Sequence, residues 1–326
     1  MLLMPASPPP ARLYLILAAG VVAVSLAAIF IRYAQAPSLI VAAYRMTIAS
    51  LILLPLTLPA LRKTSLTRAN APYALLAGVF LGIHFATWIS SLSFTTVAAS
   101  AAIVATQPLW VALFSWLFLG TPPSFVTLLG ILVSVGGMAM IGFGDFSGGS
   151  RPLLGDGLAL VGGICAAAYF LLGRSAQKRG LGINAYVGVA YSTAALALLP
   201  LPLLQLILTT PSSESAQPWT GLLSPLYFGY PASSFFWIVL LALIPQLIGH
   251  TSFNYAVRFL PPTLVSTLLL LEPVGAAVLA IILFREIPGV TTLIGSIFLL
   301  AGVAITIQSS RPKASATSIQ ETQVNH

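Results

Sequence analysis

Apolar runs long enough to cross a bilayer recur along this chain, at about 13–31, 38–60, 73–92, 97–119, 124–142, 153–173, 183–207, 234–257, 263–284 and 290–307. A hydrocarbon core about 30 Å thick takes roughly 20 apolar residues per helical crossing. Lipid cannot satisfy free backbone groups, so uninterrupted runs of this length predict helices rather than barrel strands. A soluble globule is excluded by composition: only 6% of the 326 residues are charged, against about 25% in an ordinary soluble domain. The fold class expected is an all-α integral membrane protein with ten transmembrane helices, spans one to ten in the order given.

The formal charge of +8 is distributed in a way that argues for a membrane and against nucleic acid. With the amino terminus inside, one side holds ten cationic residues: Arg12, Arg62, Lys63, Arg68, Arg174, Lys178, Arg179, Arg258, Arg311 and Lys313. The other side holds three, Arg32, Arg151 and Arg285, while Arg45 falls within a span. Cytoplasmic loops are enriched in Lys and Arg, so both termini are expected in the cytoplasm, of a plasma membrane. The first run is too long for a signal-peptide core and reads as a retained helix. Cys165, the single cysteine, rules out an internal disulfide and a cysteine-cluster metal site, and no cofactor is expected.

The chain also repeats itself. A shift of 165 positions lays Phe94 on Phe259, Pro108 on Pro273, Ala112 on Ala277, Pro123 on Pro288, Gly130 on Gly295 and Gly137 on Gly302. A shift of 142 brings Gly20 onto Gly162, Arg32 onto Arg174 and Ala34–Gln35 onto Ala176–Gln177. A shift of 145 lays Leu-Leu-Pro-Leu at 53–56 on the same string at 198–201. Five spans per half is an odd number, so the second half enters the membrane in the opposite sense, the inverted-repeat plan of many secondary transporters.

The strings AASAAIVATQPLWVALFSWLFLG and PPSFVTLLGILVSVGGMAMIG resemble the signature end of an EamA domain, and PPTLVSTLLLLEPVGAAVLAIILFREIPGVTTLIGSIFLLAGVAI resembles the same end of a second one. The family acid that opens the loop after this motif is present as Glu286, whereas the first half has Thr121 there. The resemblance, to the drug/metabolite transporter superfamily, implies two five-helix repeats at 12–143 and 153–308, followed by a polar, disordered tail at 309–326. It also implies export or exchange of amino acids, nucleotide-like molecules or other metabolites, and an Arg near position 45 is common in the family's second span. The partners expected are a small-molecule substrate, a proton or counter-solute as co-substrate, the lipid bilayer and at most a second copy of the chain.

Ionisable groups at mid-bilayer cost a few kcal/mol and so point to function. Glu272 lies nine residues into span nine, about 14 Å deep at 1.5 Å per residue. Its repeat partner is Gln107, and each precedes a proline, Pro273 and Pro108. Proline frees a carbonyl one turn back and bends the helix, which suits a substrate or proton site as well as simple packing. Arg45, about 10 Å from the outer end of span two at 1.5 Å per residue, either snorkels outward or pairs with Glu272 or with an anionic group on the substrate, and the 145 shift puts Ala190 in its place in the second half. Gln246, His250 and Asn254 recur every four residues and share a face of span eight, and His84, Trp88 and Ser91 do the same on span three. A polar stripe belongs in the bundle interior, where each histidine is either a helix-to-helix hydrogen bond or part of a pathway. Gly78 and Gly82, and the glycines of spans five and ten, read as close-packing surfaces.

An intramembrane enzyme is the first alternative. Gly142-Phe-Gly-Asp145 matches the G-x-G-D of membrane aspartyl proteases, but the second aspartate, Asp156, lies at a span edge in no such motif. Zinc-hydrolase, serine-hydrolase and P-loop motifs are missing from the sequence, so no enzyme is expected. A channel or receptor is the second alternative, and no charge ring or filter-like loop favours it. The outer 210–233 segment, rich in Pro, Ser and aromatics, reads as resting on the membrane interface. The function expected is secondary-active transport by alternating access. Topology reporters inserted in the 62–68 and 174–179 loops should both report the cytoplasmic side; one inside and one outside would end the ten-span scheme.

Overall fold

The computed structural model describes residues 10–142, 150–209, 226–272, 274–275, 278–279 and 289–310. Among these the chain is helical, with no strand. Eight helices are long and apolar enough to cross a membrane: Ala11–Ala34, Ser38–Lys63, Ala71–Ser91, Ala99–Leu119, Pro152–Lys178, Ile183–Ile207, Ala232–Ala256 and Val290–Ser309. Phe125–Ile141 is a shorter apolar helix. These nine correspond to spans one to eight and span ten. Span nine is described as Pro262–Leu269 and a few residues beyond. Pro273, Asp145, Glu286, most of the 210–233 segment and the tail after Ser310 lie outside the described residues.

Local chemistry sets the helix ends. Thr96 caps span four by accepting from the Ala99 amide at 3.1 Å, satisfying a donor the first turn leaves free. Pro72, Pro108, Pro152 and Pro262 stand in first turns, where the missing N–H costs nothing. Gly120, with φ +61°, closes span four. Large apolar side chains such as Leu15, Leu51, Phe118, Phe125, Leu153 and Ile297 point outward, as a lipid-facing surface requires.

Five described spans depart from a regular helix: span one is interrupted at Leu26 and span seven at Leu199–Pro200, and spans four, eight and nine are interrupted beside the polar residues. Span four breaks at Ala105–Thr106, between helices Val97–Val104 and Gln107–Leu119. Span nine breaks at Leu270–Leu271, which are the same two positions shifted by 165. In both, an amide reaches only three residues back: Thr106 to Ile103 and Leu271 to Leu268, each at 3.1 Å. Span eight was expected as one regular helix but contains a π-helical stretch, Ala242–His250, around Pro245. Proline lacks the donor for a normal turn, and the Thr251 amide reaches five residues back to Gln246 instead.

Small residues decide how the helices meet. Spans five and ten cross antiparallel, with Gly130 against Gly302 and Gly137 against Gly295. Between these contacts the Ser134 hydroxyl donates to the Leu299 carbonyl at 3.3 Å. Span three packs antiparallel on span six and parallel to span seven, where Gly78 and Gly82 lie on Ala190 and Ala194. Span two packs on seven, with Thr57 over Gly188, and span one packs on eight, with Gly20 over Phe253. Span nine meets span four. Between helices packed backbone to backbone there is no room to relax. A Cβ at Gly137 would fall 2.5 Å from the Gly295 carbonyl, whereas one at Gly136, a residue away, meets nothing within 4 Å. In thermal unfolding of the detergent-solubilised protein, Gly137→Ala should lose roughly 1–3 kcal/mol, and Gly136→Ala should be neutral or slightly stabilising.

Candidate functional site

Span two carries Arg45 to the middle of the bundle, where the whole side chain is enclosed at 0% exposure. Its Nε donates to Gln246 Oε1 at 2.9 Å, linking spans two and eight. One face of the guanidinium lies over the Phe85 ring, 4.1 Å from the centroid, a cation–π contact that desolvation strengthens. Nη1 and Nη2 are buried with no hydrogen-bond partner among the described residues.

Around this cation stand most of the residues expected from the sequence. His250 sits edge-on to Phe85 with ring centroids 5.3 Å apart, and its Nδ1 is buried without a described partner. His84 Nδ1 donates to the Gly162 carbonyl at 2.9 Å. A carbonyl can only accept, so this contact places the proton on Nδ1. The His84 ring stacks on Trp88 at 5.8 Å and tilts against Phe85 at 4.9 Å. Glu272 is partly buried and opens the second segment of the broken span nine. Its backbone carbonyl accepts from Ser25 Oγ of span one at 3.0 Å. Glu272 and Arg45 lie within electrostatic range of each other, yet Arg45 donates no hydrogen bond to the carboxylate.

The polar stripe of span eight divides between two places. Gln246 and His250 lie at the Arg45 site, whereas Asn254, one turn further along span eight, bonds to a buried tyrosine cluster. Its Nδ2 donates to the hydroxyls of Tyr169 and, at 3.3 Å, Tyr191. Its backbone carbonyl accepts from Gln177 Nε2 at 3.0 Å, and Tyr191 shares a hydrogen bond with Thr251 at 3.1 Å. Ser91, on the stripe of span three, is paired with Ser100 at 2.6 Å.

Gln107 is buried, with Nε2 unpartnered, at the head of the second segment of span four. No hydrogen bond or ring contact among the described residues joins it to Arg45 or Glu272. The sequence reading does not single out Phe85 or Tyr169. A phenylalanine in an apolar span carries no polar signal, although its position beside His84 put it near the right face. The Tyr169 hydroxyl did carry a signal, because a buried phenol needs a partner.

Residues 11–143 and 153–308 each match the EamA-like transporter family. The chain belongs to the EamA-like transporter family. It is similar to an uncharacterized transporter of Clostridium kluyveri, 24% identical over 272 residues that make up 81% of each chain. It is also similar to the uncharacterized transporter YvbV of Bacillus subtilis, 26% identical over 297 residues and 88% of each chain. A crystal structure at 18% identity shares the fold, with a TM-score of 0.70 over 94% of this chain and all of the other. This EamA-like chain is thus a multi-pass membrane transporter, and Arg45, Gln246, Phe85, His250 and Glu272 form its polar centre. Tyr169→Phe should cost about 1 kcal/mol of stability in a denaturation measurement by removing a hydroxyl paired with Asn254. An unchanged midpoint would mean that this hydrogen bond contributes nothing.

Proposed function

We propose that this protein is a secondary-active transporter that exports or exchanges a small metabolite by alternating access, through a central site at Arg45 and Glu272. The observation that carries the reading is a buried cation and a carboxylate, not hydrogen-bonded to each other, beside the break in span nine. Transport proteins place discontinuous helices at their binding sites, because the ends of half-helices offer free backbone groups there.

Alternating access in turn needs two halves that can rock, and the packing supports the inverted-repeat plan. Spans five and ten, four and nine, and two and seven each pack against their counterpart span in the other half. The contacts of span three with six and of span eight with one exchange under the same operation. At the crossing of spans five and ten, Ser134 bonds Leu299, its own counterpart at a separation of 165. Gly130 and Gly137 each meet the counterpart of the other. A two-fold axis in the membrane plane would generate this crossed pattern. The charge bias supports both termini on the cytoplasmic side of a plasma membrane.

Purified protein in liposomes should move its solute down an imposed gradient, and Glu272→Gln should slow that flux about tenfold or more while leaving thermal stability within about 1 kcal/mol. Full flux in the variant would remove Glu272 from the mechanism.

A further inference from the structure

The outer surface of the bundle is indented where span two ends and span seven begins. The groove there holds about 250 Å³ and is lined by Pro55, Leu56, Pro59, Ala60, Lys63 and Asn184. Pro55, Pro59 and Lys63 recur every four residues, so they share one stripe of span two. The two proline rings and the Ala60 methyl are short, and the surface recedes along them, whereas Leu54 and Leu58 beside them stand out into lipid. Beneath the groove the two spans touch: Thr57 packs over Gly188, and its hydroxyl donates to the Asn184 carbonyl at 3.4 Å. Pro55, Leu56, Pro59 and Lys63 are exposed, so the groove opens to the bilayer rather than into the bundle.

One end of the groove is polar and the other is apolar. Lys63 closes span two and Asn184 stands in the first turn of span seven. Pro55 lies eight residues deeper, about 12 Å at 1.5 Å per residue. The polar end carries one sign of charge. Segments 62–70 and 174–182 meet where the Gly182 amide donates to Thr64 Oγ1 at 3.4 Å, and they contain six cationic residues and no acidic one. Arg179 is taken up by the Tyr73 ring, 4.0 Å from its centroid, whereas Lys63 borders the groove. The helix of span seven starts here with no side-chain cap and no acid in its first turn, so its positive end adds to the same sign.

We infer that this groove binds an anionic phospholipid, with the phosphate against Lys63 and Asn184 and one acyl chain along Pro59 and Pro55. A lysine at the membrane surface attracts an anionic headgroup, and its long stem lies on apolar surface while its ammonium reaches the interface. The acyl chain fills a depression that short side chains leave. Its gain is close contact, since it leaves no water behind. A zwitterionic phospholipid carries an ammonium group beside its phosphate, which the surrounding cations repel. A soluble phosphate has nothing to lay on the proline stripe.

Native mass spectrometry tests this on the full chain released from detergent, titrated with phosphatidylglycerol or with phosphatidylcholine of the same acyl chains. Phosphatidylglycerol should bind at least about fivefold more tightly, the effect of one lysine facing anionic lipid. Lys63→Gln should remove most of that preference, and Lys63→Arg should keep it. Arg68→Gln, at the same end but off the groove, should change the affinity by less than about twofold. Ala60→Leu fills the groove without touching any charge and should also weaken phosphatidylglycerol about fivefold. Equal binding of the two lipids by the parent protein would overturn the site. So would equal losses in Lys63→Gln and Arg68→Gln, the mark of a diffuse basic face. Glycerol 3-phosphate competing as strongly as the whole lipid would assign the site to a soluble anion instead.

Discussion

Lipid accepts no hydrogen bond, and everything in this structure follows from where the backbone can be left open. A transmembrane helix satisfies its own backbone groups, so a break within one exposes several at once, each at a cost of a few kcal/mol in hydrocarbon. The described breaks fall at Leu26, Ala105–Thr106, Leu199–Pro200 and Leu270–Leu271, and the wide π turn falls at Ala242–His250. The breaks of spans four and nine and the π turn face protein, with Ala105, Leu270 and Gln246 buried, whereas the break of span seven lies at the exposed Pro200. Spans four, eight and nine thus place irregular backbone inside the bundle. Spans five and ten, which carry the central crossing, stay regular.

That division explains the use of small residues. Apolar side chains gain little by leaving lipid for one another, so helix association depends on close contact and on hydrogen bonds between spans. Gly130, Gly137, Gly295 and Gly302 let two backbones touch, and Ser134 adds a hydrogen bond at their centre. On the alternating-access reading, a close-packed crossing of this kind is what the less regular spans would move against.

The helical class and the approximate bounds of nine of the spans were legible in the sequence, because both depend on a local rule, the length of an apolar run. Arg45, Glu272, His84, Gln246 and His250 were legible as polar exceptions in apolar runs. What could not be read was which exceptions meet. The spacing of Gln246, His250 and Asn254 implied one face. The π turn is a tertiary accommodation of Pro245 that four-residue periodicity does not encode, and Asn254 joined Tyr169 and Tyr191 instead. Phe85 was illegible for the opposite reason: its role comes from lying under a guanidinium supplied by another helix.

The polar centre is less symmetric than the scaffold. The repeat places Ala190 opposite Arg45 and Gln107 opposite Glu272, so the cation comes from the first half and the carboxylate from the second. Two identical halves would set like charges near one another at the axis, and in a poorly screened interior like charges repel strongly. Dividing the signs between the halves avoids that repulsion and polarises the site. On the inverted-repeat reading, rocking changes which side of the membrane the site faces. It cannot exchange the positions of Arg45 and Glu272, each fixed to its own half. A solute that bridges them would therefore contact both halves in either orientation, and its own charges would hold the moving parts in register.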